Sequence, residues 1–482
     1  MIMELNRDVL YAKSFINNEW IGHSTTNVLS VINKYNQNII ATIPYADPNE
    51  VLFAISNSVE AFQTWSRVSA MERRDYLLRL REGLLAEKEK FINLIVSEAG
   101  KPLDYARAEI ERSATVLQFA ADEAIRLTGE TVPMDFGVGK GRTAFTKRFP
   151  IGPVLAISPF NFPLNLALHK IAPALAAGNT VILKPSPYTP LTALALASLS
   201  KRIGLPPGVL NVVVCKNEEA EVMLRDERIK MLSFTGSADV GWKLKEKAGK
   251  KKVVLELGGN ASVIVDRTSN LDEAAKAIST GAFLYAGQIC ISVQRIFVDN
   301  EVFDVFIEKL KSAMSELQTG NPATEGVTVG PVIDRVHLER IINQIETAKQ
   351  KGAQVLVGGN ILDQERNLME PTLITNTTEE MGIVSEEIFG PVAIIERVEY
   401  FDEVIRLINR SRYGLQAGLF TNNLSQMKYA HEHLEVGALI VNGVPGFRVD
   451  SMPYGGVKDS GLGREGVRYT MEEMTEPRLL VY

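Results

Sequence analysis

Val154-Leu-Ala-Ile157, Val181-Ile-Leu183, Val212-Val-Val214, Met231-Leu-Ser-Phe234 and Val253-Val-Leu-Glu-Leu257 are five short β-rich runs, separated by stretches of helical character. Strand, helix, strand repeated in this way implies right-handed crossovers and predicts an α/β fold with a mostly parallel, doubly wound sheet. In such sheets ligands bind beyond the carboxyl ends of the strands. Residues with chemistry to offer should then follow the apolar runs, and Asn161, Lys184, Ser237 and Glu256 all stand at or just past a run's end.

Upstream, from Asn49 to Arg126, apolar residues recur at helical spacing, as in Tyr76, Leu77, Leu80 and Leu84, and Gly100 can close one of the helices. Downstream, a second alternating region begins near Ala261. It includes the strand-like Arg295 to Val298, Val355 to Val357 and Val392 to Ile395 and the helical Val302 to Leu317, and it reads as a second α/β domain. Segments Thr131 to Arg148 and Glu472 to Tyr482 are extended and alternating and fit neither body. Such strands can pair with another subunit by strand addition.

At 482 residues the chain exceeds a single hydrophobic core, so two or three domains are expected. With 45% hydrophobic and 23% charged residues it has an ordinary globular composition. A net charge of −6 gives no broad attraction for nucleic acid or an anionic membrane. The basic run Lys243 to Lys252 reads as a solvated helix end followed by a turn. Two cysteines in unlike surroundings form no disulfide framework, which suits a reducing compartment, the cytoplasm. Met1 to Leu10 carries Glu4, Arg7 and Asp8 and lacks the apolar core of a secretory signal. The longest uncharged stretch, Phe149 to His169, is interrupted by four prolines, so no membrane segment is expected. The five histidines assemble into no site, His431 and His433 read as a solvated face, and neither a metal signature nor a Ser-His-Asp order is present.

Cys290 lies in Tyr285-Ala-Gly-Gln-Ile-Cys-Ile-Ser292, where Gly287 permits close backbone approach. A thiolate is a strong nucleophile, and a helix amino terminus would lower its pKa; taken alone, Cys290 reads equally as a small buried hydrophobe. Cys215, after Val212-Val-Val, reads as structural. Glu256 stands among apolar residues just before Gly258-Gly259, where burial raises a carboxyl toward the range of a general base, or where a salt bridge satisfies it. Asn161, in Ser158-Pro-Phe-Asn-Phe-Pro163, can donate to a developing oxyanion or form an Asx turn. Lys184-Pro-Ser-Pro187 presents a cation at a strand end, and Phe234-Thr-Gly-Ser237 places a small-residue turn before a helix without completing GxGxxG.

Taken in order, Ser-Pro-Phe-Asn161-Phe-Pro, Lys184-Pro-Ser, Phe-Thr-Gly-Ser237, Glu256-Leu-Gly-Gly, Gly-Gln-Ile-Cys290, Glu386-Glu-Ile-Phe-Gly-Pro391 and Met452-Pro-Tyr-Gly-Gly-Val-Lys-Asp-Ser-Gly461 resemble the aldehyde dehydrogenase superfamily across essentially the whole chain. The resemblance implies NAD(P)-dependent oxidation of an aldehyde to its acid through a thiohemiacetal and a thioester on Cys290. Asn161 and the Cys290 N–H would hold the oxyanion, and Glu256 would activate the hydrolytic water. Lys184 would meet the adenosine ribose, Ser237 the pyrophosphate, and Glu387 with Phe389 the nicotinamide ribose and ring. Ser158, Phe160, Ser186, Pro187, Gly236 and Leu257 are carried over as cofactor-lining residues of the same motifs.

The implied architecture is a Rossmann-like cofactor domain (residues 1–129 and 151–259), a catalytic domain (260–446), an oligomerisation arm (130–150) and a return segment with a C-terminal oligomerisation strand (447–482). Homodimers or homotetramers are usual there. Where NAD-selective relatives carry glutamate three positions after the lysine, this chain has Pro187, which neither binds the ribose diol nor repels a 2′-phosphate, so NADP should be tolerated or preferred. Ile289 stands where non-phosphorylating glyceraldehyde-3-phosphate dehydrogenases carry arginine, which weakens the case for that substrate. The surroundings of Asn165 and Cys290 look like the branch with lactaldehyde and phosphonoacetaldehyde dehydrogenases. A small polar or anionic aldehyde is expected, met by Asn165, Ile289, Ile291 and Arg448, with Arg448 reading equally as a surface or interdomain ion pair. The alternatives are a coenzyme-A-acylating semialdehyde dehydrogenase, which does not need Glu256, and a non-catalytic binding or structural member of the fold.

Overall fold

A computed structural model of the chain describes residues 3–4, 10–24 and 26–482. The reading of Met1 to Leu10 therefore lies largely outside the described residues. The five apolar runs form the centre of an eight-stranded sheet in the order Lys252–Glu256, Met231–Thr235, Val154–Ile157, Val181–Lys184 and Leu210–Val212, all parallel. Successive strands run outward in one direction from Val154–Ile157 and then return to its other side at Met231–Thr235. That reversal opens a crevice between the loops that follow those two strands, the usual ligand site of a doubly wound sheet.

The third run lies two residues earlier than the sequence suggests, at Leu210–Val212. Its strand ends at Val212, because the Val214 N–H turns to the Ser14 hydroxyl at 3.0 Å. Ser14 belongs to a hairpin, Ser14–Ile16 and Glu19–Ile21, that extends the sheet antiparallel and that hydrophobic patterning overlooked. Its turn residues Asn17 and Asn18 both have positive φ, the conformation a two-residue hairpin of the right twist demands. Gly461–Leu462 completes the opposite edge beside Lys252–Glu256.

The N-terminal helices Pro48–Trp65, Ala70–Ala86, Lys88–Ala99 and Leu103–Ala124 cover this sheet, and Gly100 closes the third with φ 65°. A second sheet of seven strands, from Ser262–Val265 to Ala438–Val441, is parallel except at the Gln354–Val357 edge. Ala144–Pro150 pairs along its whole length with Thr475–Val481 and also with Thr131–Val132, forming a separate three-stranded antiparallel ribbon. Among the described residues no helix is long and apolar enough to cross a membrane.

Candidate active site

Cys290 is held by a loop rather than by a helix. Helix Leu271–Phe283 ends in a tight turn in which Tyr285, Ala286 and Gly287 all have positive φ, and no helix starts at the cysteine. The helix-terminus effect considered from the sequence is thus absent. Burial pushes the Cys290 thiol up to about 11. The strained turn is over-determined by its contacts: the Tyr285 hydroxyl donates to Ala99 O at 2.7 Å, and a Cβ at Gly287 would collide with the carbonyl of Gly390. Buried Gln288 fixes the next residue, donating to Pro331 O and accepting from Ile333 N.

A cavity of about 650 Å³ has Cys290 in its wall together with Asn161, Asn165, Ile289, Ile291 and Arg448, so the catalytic and substrate candidates other than Glu256 share one space. Asn161 donates from Nδ2 to Gln288 O at 2.9 Å. An amide nitrogen carries two hydrogens, which leaves one for a ligand. The Cys290 N–H has no hydrogen-bond partner among the described residues. Asn161 Oδ1 and both amide atoms of Asn165 are buried without a partner, a cost that a polar ligand would relieve.

Glu256 ends its strand, buried, with neither carboxylate oxygen hydrogen-bonded. Burial, and next the neighbouring Glu465, raise its pKa well above the carboxylate range, against the pull of Arg448, Lys170 and Arg464. Glu465 itself, despite burial, is held down to about 2 by Lys170, His169 and Arg448. The following glycines bring three loops together. A Cβ on Gly259 would strike the Cys290 carbonyl, and one on Gly258 would strike the Glu387 carboxylate.

Arg448 is a buried, ion-paired residue rather than a surface one. It reaches Glu465 at 3.3 Å, with both side chains buried, and it lines the cavity with its Nε unpartnered. Sequence reasoning missed its neighbours. His169 Nε2 lies 2.8 Å from Asp450 Oδ1, Arg112 donates to the same carboxylate at 2.7 Å, and Arg112 also lines the cavity. His169 does not itself line the cavity but meets Asp450 across 281 positions of sequence, a contact that no spacing reveals. Tyr454 was likewise passed over, although its hydroxyl lies 3.2 Å from the Cys290 sulfur.

Of the remaining candidates, all but Glu387 and Phe389 stand at or just after the carboxyl ends of strands Val154–Ile157, Val181–Lys184, Met231–Thr235 and Lys252–Glu256. Ser237 opens helix Ala238–Lys247 with its hydroxyl making no cap bond, so the helix amino terminus is free to meet an anion. Gly236 N donates to Glu256 O at 3.1 Å, and buried Leu257 donates its N–H to Ser460 O. Lys184, buried at its strand end beside Cys215 and Glu219, has its pKa lowered by burial and makes no ion pair among the described residues. Buried Ser158 donates its N–H to Lys184 O, Ser186 takes the N–H of Tyr188, and Pro187 is exposed. Phe389, at φ 49°, meets Phe160 edge to face at 5.8 Å. Glu387 accepts from Gly259 N, and burial raises its carboxyl to about 7. Among the described residues no cluster of acids, histidines and cysteines could hold a metal.

A family description, aldehyde dehydrogenase family, matches residues 20–480. The chain belongs to this family. As an aldehyde dehydrogenase it is 43% identical over 469 residues to 3-sulfolactaldehyde dehydrogenase of Priestia aryabhattai, covering 97% of each chain. It is 36% identical over 472 residues to lactaldehyde dehydrogenase of Methanococcus aeolicus, covering 97% of this chain and 99% of the relative. Among solved structures, NADP-dependent glyceraldehyde-3-phosphate dehydrogenase from Bacillus halodurans, complexed with NADP, superposes with a TM-score of 0.95 at 36% identity, covering 98% of this chain and 99% of that one. The family and the branch expected from the motifs are the ones found.

Proposed function

We propose that this aldehyde dehydrogenase oxidises a short anionic aldehyde to its acid with NAD or NADP, through a thioester on Cys290. One observation carries the reading: a nucleophilic cysteine, two amides with unpartnered atoms and a buried guanidinium converge on a single cavity. The Cys290 sulfur attacks the carbonyl carbon, and the displaced π pair settles on oxygen, held by the N–H groups of Asn161 and Cys290. When bound, the nicotinamide dinucleotide accepts the aldehydic hydrogen with its electron pair. Collapse of the thiohemiacetal leaves the thioester, and Glu256 takes a proton from the water that cleaves it.

The unpartnered Nε of Arg448 in the cavity wall supports the anionic substrate, and so does the similarity to an enzyme named for sulfolactaldehyde. Lys184, the free helix terminus at Ser237, and Glu387 with Phe389 suit the ribose, pyrophosphate and nicotinamide of the dinucleotide; exposed Pro187 offers nothing to repel a 2′-phosphate. We extend the reading to a cofactor domain of residues 1–129 and 151–259, a catalytic domain of 260–446, and a homodimer or homotetramer joined through 130–150 and 447–482. Two free thiols support a reducing compartment, the cytoplasm.

The test is cofactor reduction by the purified chain, without coenzyme A, across neutral, hydroxy and anionic aldehydes. Short sulfonate- or carboxylate-bearing aldehydes should lead, with NADP serving at least as well as NAD. Arg448→Gln should lower kcat/KM for the anionic substrate about 10- to 100-fold relative to a neutral analogue, the worth of one charge-assisted hydrogen bond. An unchanged ratio removes the anion assignment; absence of reduction with every aldehyde removes the reading.

A further inference from the structure

The Cys290 thiol lacks the devices that ordinarily activate a cysteine. No helix begins at the cysteine, and among the described residues no histidine or lysine is bonded to the sulfur. The charged groups that face it pull in opposite directions: Glu387 and Glu256 disfavour the thiolate, and Arg448 favours it. More remotely, Lys101, Glu109, Arg112, Glu273 and Lys276 line the same cavity. Among the described residues, the sulfur's one polar side-chain contact is the hydroxyl of Tyr454, at 3.2 Å.

Tyr454 is built to donate. Burial, and then the nearby Cys290 and Glu256, raise its own pKa well above that of a free phenol, so it keeps its proton while the cysteine gives one up. Its ring lies against the Arg448 guanidinium, whose carbon is 3.7 Å from the ring centroid. A cation over the ring face withdraws electron density and makes the phenol a better donor. The Tyr454 backbone is pinned to Glu465 in both directions, N–H to carbonyl, at 2.9 and 2.7 Å. The hydroxyl thus has a fixed place.

We propose that Tyr454 is a catalytic residue, its hydroxyl donating a hydrogen bond to the Cys290 sulfur that stabilises the thiolate and holds it toward the cavity. The inference rests on Cys290 being the nucleophile but can be measured without aldehyde or cofactor. In the intact chain, the rate of Cys290 alkylation by iodoacetamide is followed against pH by mass analysis of the Cys290 peptide. Cys215, buried with its thiol pushed up to about 12, supplies the unreactive internal reference.

Tyr454→Phe keeps the ring beside Arg448 and deletes only the hydroxyl. The expected result is a shift of the alkylation profile to higher pH by about one unit, a tenfold loss of rate at pH 7, and an unchanged alkaline plateau. Turnover should show the same signature: kcat/KM falls about tenfold at neutral pH and recovers as pH rises. Superimposable profiles, or a lowered plateau without a shift, overturn the assignment. A shifted alkylation profile in a chain that reduces no cofactor sustains the role of Tyr454 and overturns the dehydrogenase reading instead.

Discussion

With neither carboxylate oxygen of Glu256 hydrogen-bonded, its charge is set by burial and by Glu465, and the two proposed half-reactions should respond to it differently. Reduction of cofactor precedes hydrolysis, so Glu256→Gln should give a burst of one reduced cofactor per active site followed by turnover slowed roughly 10²- to 10⁴-fold, the usual contribution of a positioned base. The working form is the carboxylate, present only above the raised pKa. Turnover limited by hydrolysis should therefore climb as pH rises through that pKa, and in Glu256→Gln the limb should flatten. Stopped-flow traces across pH check both; full steady-state activity in the variant would remove the role. Cys290, Glu256 and Asn161 were legible because each sits in a short motif at a strand end or loop. Tyr454, Arg112 and His169 were not, because their contacts at the cavity are with partners 164 to 338 residues away.

Two helices of the main sheet layer start on carboxylates borrowed from the N-terminal helices. Glu109 accepts the N–H groups of Leu164 and Asn165 at the head of Asn165–Ala177, and it is itself paired with buried Lys101. Glu98 accepts those of Leu191 and Thr192, and the Thr192 hydroxyl, at the head of Pro190–Arg202. These caps tie the helical layer to the loops that carry Asn161 and Lys184. Burial raises the Glu98 carboxyl from 4.5 to about 7 despite the Thr192 and Leu191 bonds. The folded state then holds a proton that the unfolded chain has released between those values, so this group's contribution to stability should fall as pH rises from about 4.5 to 7 and level off above. Glu98→Gln should remove that slope from the pH dependence of Tm; a slope that persists would assign it to other groups. Hydrophobic periodicity located the helices correctly but carries no trace of such caps, since a glutamate within a helix looks the same whether it meets water or another helix's first turn. The Asn17-Asn18 hairpin was readable in principle, because consecutive asparagines between β-rich residues are a positive-φ turn signal.

At the scale of the molecule, Thr475–Val481 is an edge strand whose only neighbour among the described residues is Ala144–Pro150. Six of its seven residues are exposed, including Leu479, Leu480 and Val481, and Phe145 is exposed beside them. Monomeric proteins protect such edges with charge, proline or a covering helix. Here Pro477 and Arg478 guard only the first half, and the apolar second half, Leu479 to Tyr482, is uncovered. A second copy of the chain that adds a strand there satisfies the free backbone groups and covers the apolar side chains at once. Leu479 and Val481 project from the same face of the strand, so Leu479→Lys with Val481→Lys places two charges on that face without touching either domain core. Exposed substitutions of this kind alter the stability of a single chain by about 0.5 kcal/mol or less. The double variant should keep its circular dichroism spectrum while its sedimentation mass falls from that of a dimer or tetramer toward that of one chain. An unchanged mass would move the subunit contact elsewhere on the molecule, and a wild-type chain that already sediments alone would remove the contact altogether.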